Sequence, residues 1–415
     1  MNEHASALDV FFHGRLAGQL ELDERRRFVF QYSSGWIESP HAVPLSLSLP
    51  LRRGSYCDDA ARPFFANLLP EGEIRKLVAR KLGLSEQNDY ALLEKIGGEC
   101  AGAVSILPRG SRPVEDSSYR ALDGDELHKV LAELPRRPLL AGEKGIRLSL
   151  AGAQNKLPVY MEGEKIFLPT GNSPSTHILK PPIPGLEETV ENEAFCMTLA
   201  AKVGLPVAAV AIRKNRDTFL IVERYDRRGE KNGTVVRLHQ EDFCQALGIL
   251  PEQKYESEGG PSLQSCFTLL KRHSTRPAAD QKFLLGWVIF NVLVGNADAH
   301  AKNLSILFTE KGPQLAPFYD LLSTLIYPDL TEKFAMKIGG ENRPSWIRMR
   351  HWERLADDVF LKRNFVLSVV KGMANSLIAA IGDADAAVQQ NRKSGARVAR
   401  IAALIRKRTA EYLGA

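Results

Sequence analysis

The sequence predicts an α+β protein of two lobes, a β-rich N-terminal lobe preceded by an extra subdomain and an all-α C-terminal lobe. Three observations predict it. Short alternating apolar segments bounded by turn residues fill the start of the chain and return between Ile146 and Arg224, as antiparallel strands do. After Asp226 apolar residues recur mainly at three- and four-residue spacing, the period of helices packed on one face. The 415 residues allow two or three domains at roughly 150 residues each, every one large enough to bury its own core.

Taken in order, residues 8–12, 18–22 and 27–32 read as strands, and so does the alternation Leu45, Leu47, Leu49 between Pro44 and Pro50. From Pro63 the spacing turns helical through Phe64, Leu68, Leu69, Ile74, Leu77, Val78 and Leu82, enough for two or three helices on that sheet. Residues 108–118 are rich in Pro, Arg and Ser, and residues 135–145 form a second break. Residues 146–150, 156–160, 165–168, 177–180 and 219–223 read as strands, with one helix over 189–203 among them. The rest is mostly helical and includes an almost wholly apolar helix over 283–294 that must be buried. The expected organisation is a β/α subdomain at 1–110, a connecting segment at 111–145, a β-rich part at 146–225 and a helical lobe at 226–415.

Composition narrows the classes. With 44% hydrophobic and 25% charged residues the chain is not disordered, collagenous or a coiled coil. The 55 Lys and Arg against 49 Asp and Glu leave +6, and the pI near 9.0 permits an acidic partner such as nucleic acid without requiring one. The strongly apolar run 283–294 is shorter than the about 20 residues a bilayer needs, and the first ten residues lack a basic start followed by an apolar stretch, so no membrane association and a cytoplasmic location are expected. Five scattered cysteines without a CxxC pair, and histidines without an HxxxH pair, encode neither a disulfide framework nor a structural zinc site. GxSxG, HExxH, EF-hand and Walker A sequences are absent, and Gly97-Gly98 with Gly102 has the wrong context for a dinucleotide fingerprint, which removes the hydrolase and dehydrogenase readings.

The chemistry concentrates after the apolar helix, in Gly295-Asn-Ala-Asp298-Ala-His300-Ala-Lys302-Asn303, with Phe318-Tyr319-Asp320 further on. An Asp, an Asn five residues later and a second Asp some twenty residues beyond is the catalytic arrangement of protein-kinase-like folds. A phosphoacceptor hydroxyl needs a carboxylate to take its proton, which suits Asp298. Mg²⁺ on the triphosphate needs hard oxygen ligands, which suits Asn303 and Asp320. Any one of these residues can cap a helix or a turn. The set at this spacing is what argues for phosphoryl transfer.

Such a site also needs a phosphate cradle and a cation. Ser149-Leu-Ala-Gly152-Ala-Gln154-Asn-Lys156, between two extended segments, can bring backbone N–H groups to phosphate oxygens, although taken alone it is an ordinary hairpin sequence. Lys180 closes the apolar His177-Ile-Leu-Lys segment, the place of a phosphate-pairing strand lysine, and Glu193 on the next helix is positioned to orient it. Read alone, Lys180 is a solvated surface lysine. Glu223, Arg224 and Tyr225 end the last strand where a kinase hinge reads the adenine edge, or form a plain strand-to-turn junction.

These motifs carry a resemblance. Together with Pro44-Leu-Ser-Leu-Ser-Leu-Pro, Phe64-Phe-Ala-Asn-Leu-Leu-Pro, Gly102-Ala-Val, Val222-Glu-Arg-Tyr-Asp-Arg-Arg, Gln240-Glu-Asp-Phe-Cys-Gln and Lys254-Tyr-Glu-Ser-Glu-Gly-Gly-Pro, they make nearly the whole chain resemble the HipA-type serine/threonine kinases, toxins of bacterial toxin-antitoxin modules linked to persistence. The resemblance implies Asp298 as the catalytic residue and Asn303 and Asp320 as Mg²⁺ ligands. It implies ATP contacts at Ala151, Gly152, Ala153, Gln154, Asn155, Lys156, Lys180, Glu223, Arg224, Tyr225, His300, Ala301, Lys302, Asn303, Tyr319 and Asp320, and autophosphorylation at Ser149. Ala297 and Ala299 replace the usual Thr and Gly, and neither position supplies a ligand. No role for residues 254–261 follows from their chemistry.

The resemblance further implies an aminoacyl-tRNA synthetase substrate, glutamyl-tRNA synthetase favoured, whose phosphorylation would inhibit translation, and a helix-turn-helix, HipB-like antitoxin that holds the protein on operator DNA. Arg343, Arg348 and Arg350, with the basic tail 392–408, are candidate phosphate contacts, but Val398, Ile401 and Ile405 favour packing the tail as an amphipathic helix. The competing readings are a catalytically weak co-repressor and a kinase for a small hydroxylated molecule.

Overall fold

The structure, a computed structural model, describes residues 7–113, 118–171, 173–214, 216–230, 234–389 and 395–413. It divides into two compact units, Met1–Lys180 with Arg224–Glu252, and Pro181–Glu223 with Gln253–Ala415. These units do not follow the boundaries at 110, 145 and 225: the stretch 181–223 leaves the expected β-rich part for the second unit, and 224–252 leaves the helical lobe for the first.

The first unit opens with β1 (Leu8–Phe12), β2 (Arg15–Leu22) and β3 (Phe28–Tyr32), followed by helices α1 (Ser34–Ile37), α2 (Asp58–Ala66), α3 (Gly72–Leu82) and α4 (Asp89–Ile96) and by β4 (Val104–Pro108). The strands form an antiparallel sheet ordered β3-β2-β1-β4. Leu8, Val10, Phe30, Phe64, Phe65 and Leu93 share one core with it, each side chain contributing roughly 1.5–3 kcal/mol when fully buried. The strand expected at 44–50 is instead a turn: Leu49 N–H donates to the Ser46 carbonyl at 3.0 Å, and the Ser46 hydroxyl turns inward to Glu241. Alternation there reports two buried leucines, Leu45 and Leu49, at the ends of a turn.

The expected connecting segment is largely structured. It holds β5 (Ser118–Leu122) and α5 (Gly124–Glu133), where the Asp123 side chain caps the amides of Asp125 and Glu126 and buries Leu127, Val130 and Leu131. Residues 114–117 of that segment lie outside the described residues. Next come β6 (Leu157–Glu162), β7 (Lys165–Thr170) and β8 (His177–Lys180), with β5, β7, β6 and β8 adjacent in that order. Residues 146–150 make only a bridge, Glu99 to Leu148, and no strand.

In the second unit α6 (Thr189–Lys202) follows, then the hairpin β9 (Val210–Lys214) and β10 (Thr218–Glu223). The chain re-enters the first unit as β11 (Arg227–Gly229), β12 (Val235–Arg237), β13 (His239–Asp242) and α7 (Phe243–Leu247), whose Asp242–Gln245 pair forms a capping box. It returns to the second as α8 (Leu263–His273), α9 (Pro277–Val294), the hairpin β14 (Ser305–Thr309) and β15 (Gly312–Leu315), α10 (Met349–Asp358), α11 (Arg363–Gln389) and α12 (Ala396–Leu413). The expectation of an all-α C-terminal lobe is corrected by these strands, which are too short to show a period-2 pattern against the helical background.

Helix α9 contains the apolar run over 283–294 and is buried as expected. By length and composition alone α11 is apolar enough to cross a membrane. It packs on α6, α9, α10 and α12 through Val366, Val370, Ala374, Leu377 and Ile381, an amphipathic stripe. The tail forms α12 with Val398, Ile401 and Ile405 fully buried, the amphipathic packing expected of it. Residues 392–394 lie outside the described residues.

Candidate active site

Helix α9 ends at Gly295, in the left-handed region at φ 74°, and the chain leaves it into the Asp298 segment. Nearly every main-chain group there is bound. The Gly295 carbonyl accepts from the amides of Thr324 and Leu325 at 2.9 and 3.0 Å, Ala297 N–H donates to Thr324 Oγ1 at 2.7 Å, and the Ala297 carbonyl accepts from Ala335 N–H at 3.0 Å. The Asp298 carbonyl accepts from His300 N–H at 2.9 Å and from the Asn303 side-chain amide at 3.1 Å. The backbone is fixed while the Asp298 side chain stays 52% exposed. A carboxylate that must meet a protein hydroxyl needs this combination of rigid support and open access.

Around it the predicted residues gather. His300, Ala301, Lys302 and Asn303 are buried in a single short helical turn. The Lys302 carbonyl accepts from the Tyr319 hydroxyl at 2.8 Å, which also meets Ser305 Oγ at 2.9 Å, tying that turn to the residue before Asp320. Asp320 itself takes φ 54°, a left-handed conformation that costs a non-glycine residue on the order of 1–3 kcal/mol. Its carbonyl accepts from Asn296 Nδ2 at 3.4 Å. Asn303 Nδ2 donates to the Asp298 carbonyl; Asn303 Oδ1 and the Asp320 carboxylate are oxygens of the hard kind that Mg²⁺ takes as ligands.

Residues that sequence reasoning passed over hold this geometry. The buried Asn192 side chain on α6 makes a paired contact with Ser323, donating from Nδ2 to its carbonyl at 2.9 Å and accepting from its amide at 2.8 Å. Thr324 and Asn296 complete the bracing. Tyr255, within the motif 254–261, donates its hydroxyl to Asp298 Oδ1 at 2.6 Å. Its only sequence signal is membership of a dense motif. Glu193, beside Asn192, is buried on the same helix.

In the first unit, Ala151, Gly152, Ala153, Gln154, Asn155 and Lys156 form a bent segment between the bridge at Leu148 and β6, with Gly152 bridged to Pro70. Gly152 sits at φ 114°, and the Lys156 ammonium folds back to the Ala151 carbonyl, so that a Cβ on Gly152 would stand 2.6 Å from Nζ. Asn155 Oδ1 is buried without a hydrogen-bond partner among the described residues. Ser149 has no exposed surface: its hydroxyl donates to the Leu68 carbonyl at 2.7 Å and its amide to the Glu99 carbonyl at 2.9 Å. Lys180, 5% exposed at the end of β8, is not the solvated lysine its sequence context alone suggests.

Arg224 turns its side chain into the interior of the first unit. Its side chain is buried, with Nε and Nη2 on Asp226 at 2.9 and 2.8 Å and Nη1 on Ser175 Oγ at 2.8 Å and Glu99 at 3.3 Å. Its amide donates to the Thr176 carbonyl. These bonds tie the side chain into the fold of the first unit. Glu223 is exposed at the end of β10, with its amide on the Ala209 carbonyl, and the Tyr225 hydroxyl meets the Gln240 side chain.

The fold is of the α+β, protein-kinase-like class. Residues 8–107 match the HipA N-terminal domain and residues 148–381 the HipA-like C-terminal domain. The chain belongs to the HipA family. It is 46% identical over 380 residues to Y4mE of Sinorhizobium fredii, a protein named as a kinase by inference, covering 90% of each chain. It is 32% identical to the serine/threonine-protein kinase toxin HipA of Shewanella oneidensis over 91% of this chain and 88% of that one. The solved complex of Shewanella oneidensis HipA with HipB and its operator DNA superposes with a TM-score of 0.86 at 31% identity, covering 98% of this chain and 97% of that one.

Proposed function

We propose that the chain is a Mg·ATP-dependent protein serine/threonine kinase, the cytoplasmic toxin of a HipA/HipB-like module. The observation that carries the reading is the half-exposed Asp298 carboxylate on a segment whose main chain is nearly all hydrogen-bonded, with Asn303 locked against it. Asp298 takes the proton of a serine or threonine hydroxyl as that oxygen bonds to the γ-phosphorus of ATP and the bond to the β-phosphate oxygen breaks, releasing ADP. Asn303 and Asp320 would hold Mg²⁺, which would offset charge on the phosphates. Ala151 to Lys156 and Lys180 hold the phosphates.

The substrate we favour is an aminoacyl-tRNA synthetase, glutamyl-tRNA synthetase first, with inhibited translation, growth arrest and persistence as the outcome. A helix-turn-helix antitoxin would restrain the enzyme and carry it to operator DNA, in keeping with the HipA–HipB–operator assembly of the Shewanella relative. Autophosphorylation of Ser149 would switch it off: the buried hydroxyl lies against the Leu68 carbonyl, where a dianionic phosphate cannot remain, so the modified segment must leave its place.

Incubating the full chain with γ-labelled ATP and bacterial extract should label Ser149 and a synthetase-sized band. Labelling undiminished in Asp298→Asn excludes this mechanism. Absence of any labelling, with operator affinity of the antitoxin complex unchanged in that variant, favours the co-repressor reading instead.

A further inference from the structure

The rigid backbone around Asp298 leaves one freedom unaccounted for. The side chain is 52% exposed, and the terminal torsion of an aspartate is broad, so the fixed main chain alone does not decide which carboxylate oxygen faces an incoming hydroxyl. One side-chain contact does so: the Tyr255 hydroxyl, donating to Oδ1 at 2.6 Å. His300 Nε2 stands further off, 4.0 Å from the same oxygen.

Tyr255 is itself held on a shaped loop. Its carbonyl accepts from the amides of Glu258 and Gly260, both at 3.0 Å. A side chain at Gly260 would overlap the Gln253 carbonyl oxygen, so the loop closes only with glycine there. Glu256 N–H donates to the Ala335 carbonyl at 3.1 Å, and the Glu256 carboxylate accepts from Lys337 N–H at 2.6 Å. Ala335 N–H in turn donates to the Ala297 carbonyl, next to Asp298. Donor and acceptor of the Tyr255–Asp298 bond are thus fastened to the same strip of chain. The Tyr255 ring also packs edge-on against His300, with centroids 5.4 Å apart.

Resting on the kinase reading, we infer that Tyr255 is a positioning residue: its hydroxyl holds Oδ1 of Asp298 so that Oδ2 is presented to the serine or threonine hydroxyl that accepts the phosphate. This gives residues 254–261 a role that their sequence did not reveal. A neutral phenol suits the task, because it orients the carboxylate without adding a charge that competes for its proton.

The test uses the full chain, γ-labelled ATP and bacterial extract, measuring initial rates of label transfer across ATP concentrations. Tyr255→Phe keeps the ring against His300 and removes only the hydroxyl. The expected result is a roughly 10- to 100-fold lower rate at saturating ATP, the scale of a mispositioned reacting group. The ATP concentration for half-maximal rate and the thermal midpoint should stay unchanged. Wild-type rates in Tyr255→Phe beside an inactive Asp298→Asn overturn the inference and leave the kinase reading standing. A rate loss matched by loss of folded protein makes Tyr255 structural and overturns it too. Activity retained by Asp298→Asn overturns both.

Discussion

Two regions of the molecule use the same residue types for opposite ends. Around Glu99, in the first unit, Arg224, Arg227 and Arg237 converge on one carboxylate, with Asp226 alongside, and their side chains are almost entirely removed from water. Burial raises the Glu99 carboxyl, but the guanidinium groups of Arg237, Arg227 and Arg224 outweigh it and hold it at about 2. Around Asp298, in the second unit, the charge stays open to solvent and the bracing groups are neutral: Thr324, Asn296, Asn303, Tyr255 and main-chain amides. The lesson is that a dense cluster of acids and bases marks chemistry only where one charge is left unsatisfied and within reach. Fully paired and buried, the same groups hold a fold together.

The contrast can be broken from either side. Asp298→Asn should lower phosphoryl transfer by roughly 10²- to 10⁴-fold with the thermal midpoint unchanged, read by label transfer and a melt on the same sample. Glu99→Ala should do the reverse, destabilising the chain by about 3–5 kcal/mol in denaturant unfolding because three buried guanidinium groups lose their shared anion.

Glu241 sharpens the comparison, since it is buried without such cations. Burial pushes its carboxyl from 4.5 up to about 8, its bonds to Ser46 and Leu47 N–H offset this only in part, and Asp242 adds to it. The folded chain therefore holds the proton more tightly than the unfolded one, and the stability this lends is complete below pH 4.5 and lost as the pH rises through about 8. Unfolding midpoints measured across that range should fall for the native chain and fall less for Glu241→Gln. Smaller still, Asn192→Ala should cost about 1–3 kcal/mol by leaving the buried Ser323 amide and carbonyl without their partner, and should slow transfer as the Asp320 loop loosens. At the bottom of the scale, Phe360→Ser, at a side chain 74% exposed, should change stability by less than about 0.5 kcal/mol.

Much was legible in the amino-acid order. The helices over 189–203 and 283–294, the tail helix and most strands of the first unit follow from local periodicity, because one face of each must meet a core wherever that core lies. The family follows from residue types at short fixed spacings, and the proposed roles of Asp298, Asn303 and Asp320 rest on the same spacings. What periodicity could not show was partnership over distance. The Arg224 side chain has no legible partner until Glu99, more than a hundred positions earlier, is seen to meet it. The 44–50 alternation reads as a strand until Ser46 turns in to Glu241, and Tyr255 has no legible role until its loop meets Asp298. By itself the sequence determined which elements form and which groups can do chemistry, since both are matters of neighbours along the chain. Only the tertiary structure decided which charges are buried and paired and which carboxylate is left facing water, because desolvation and pairing depend on residues that folding alone brings together.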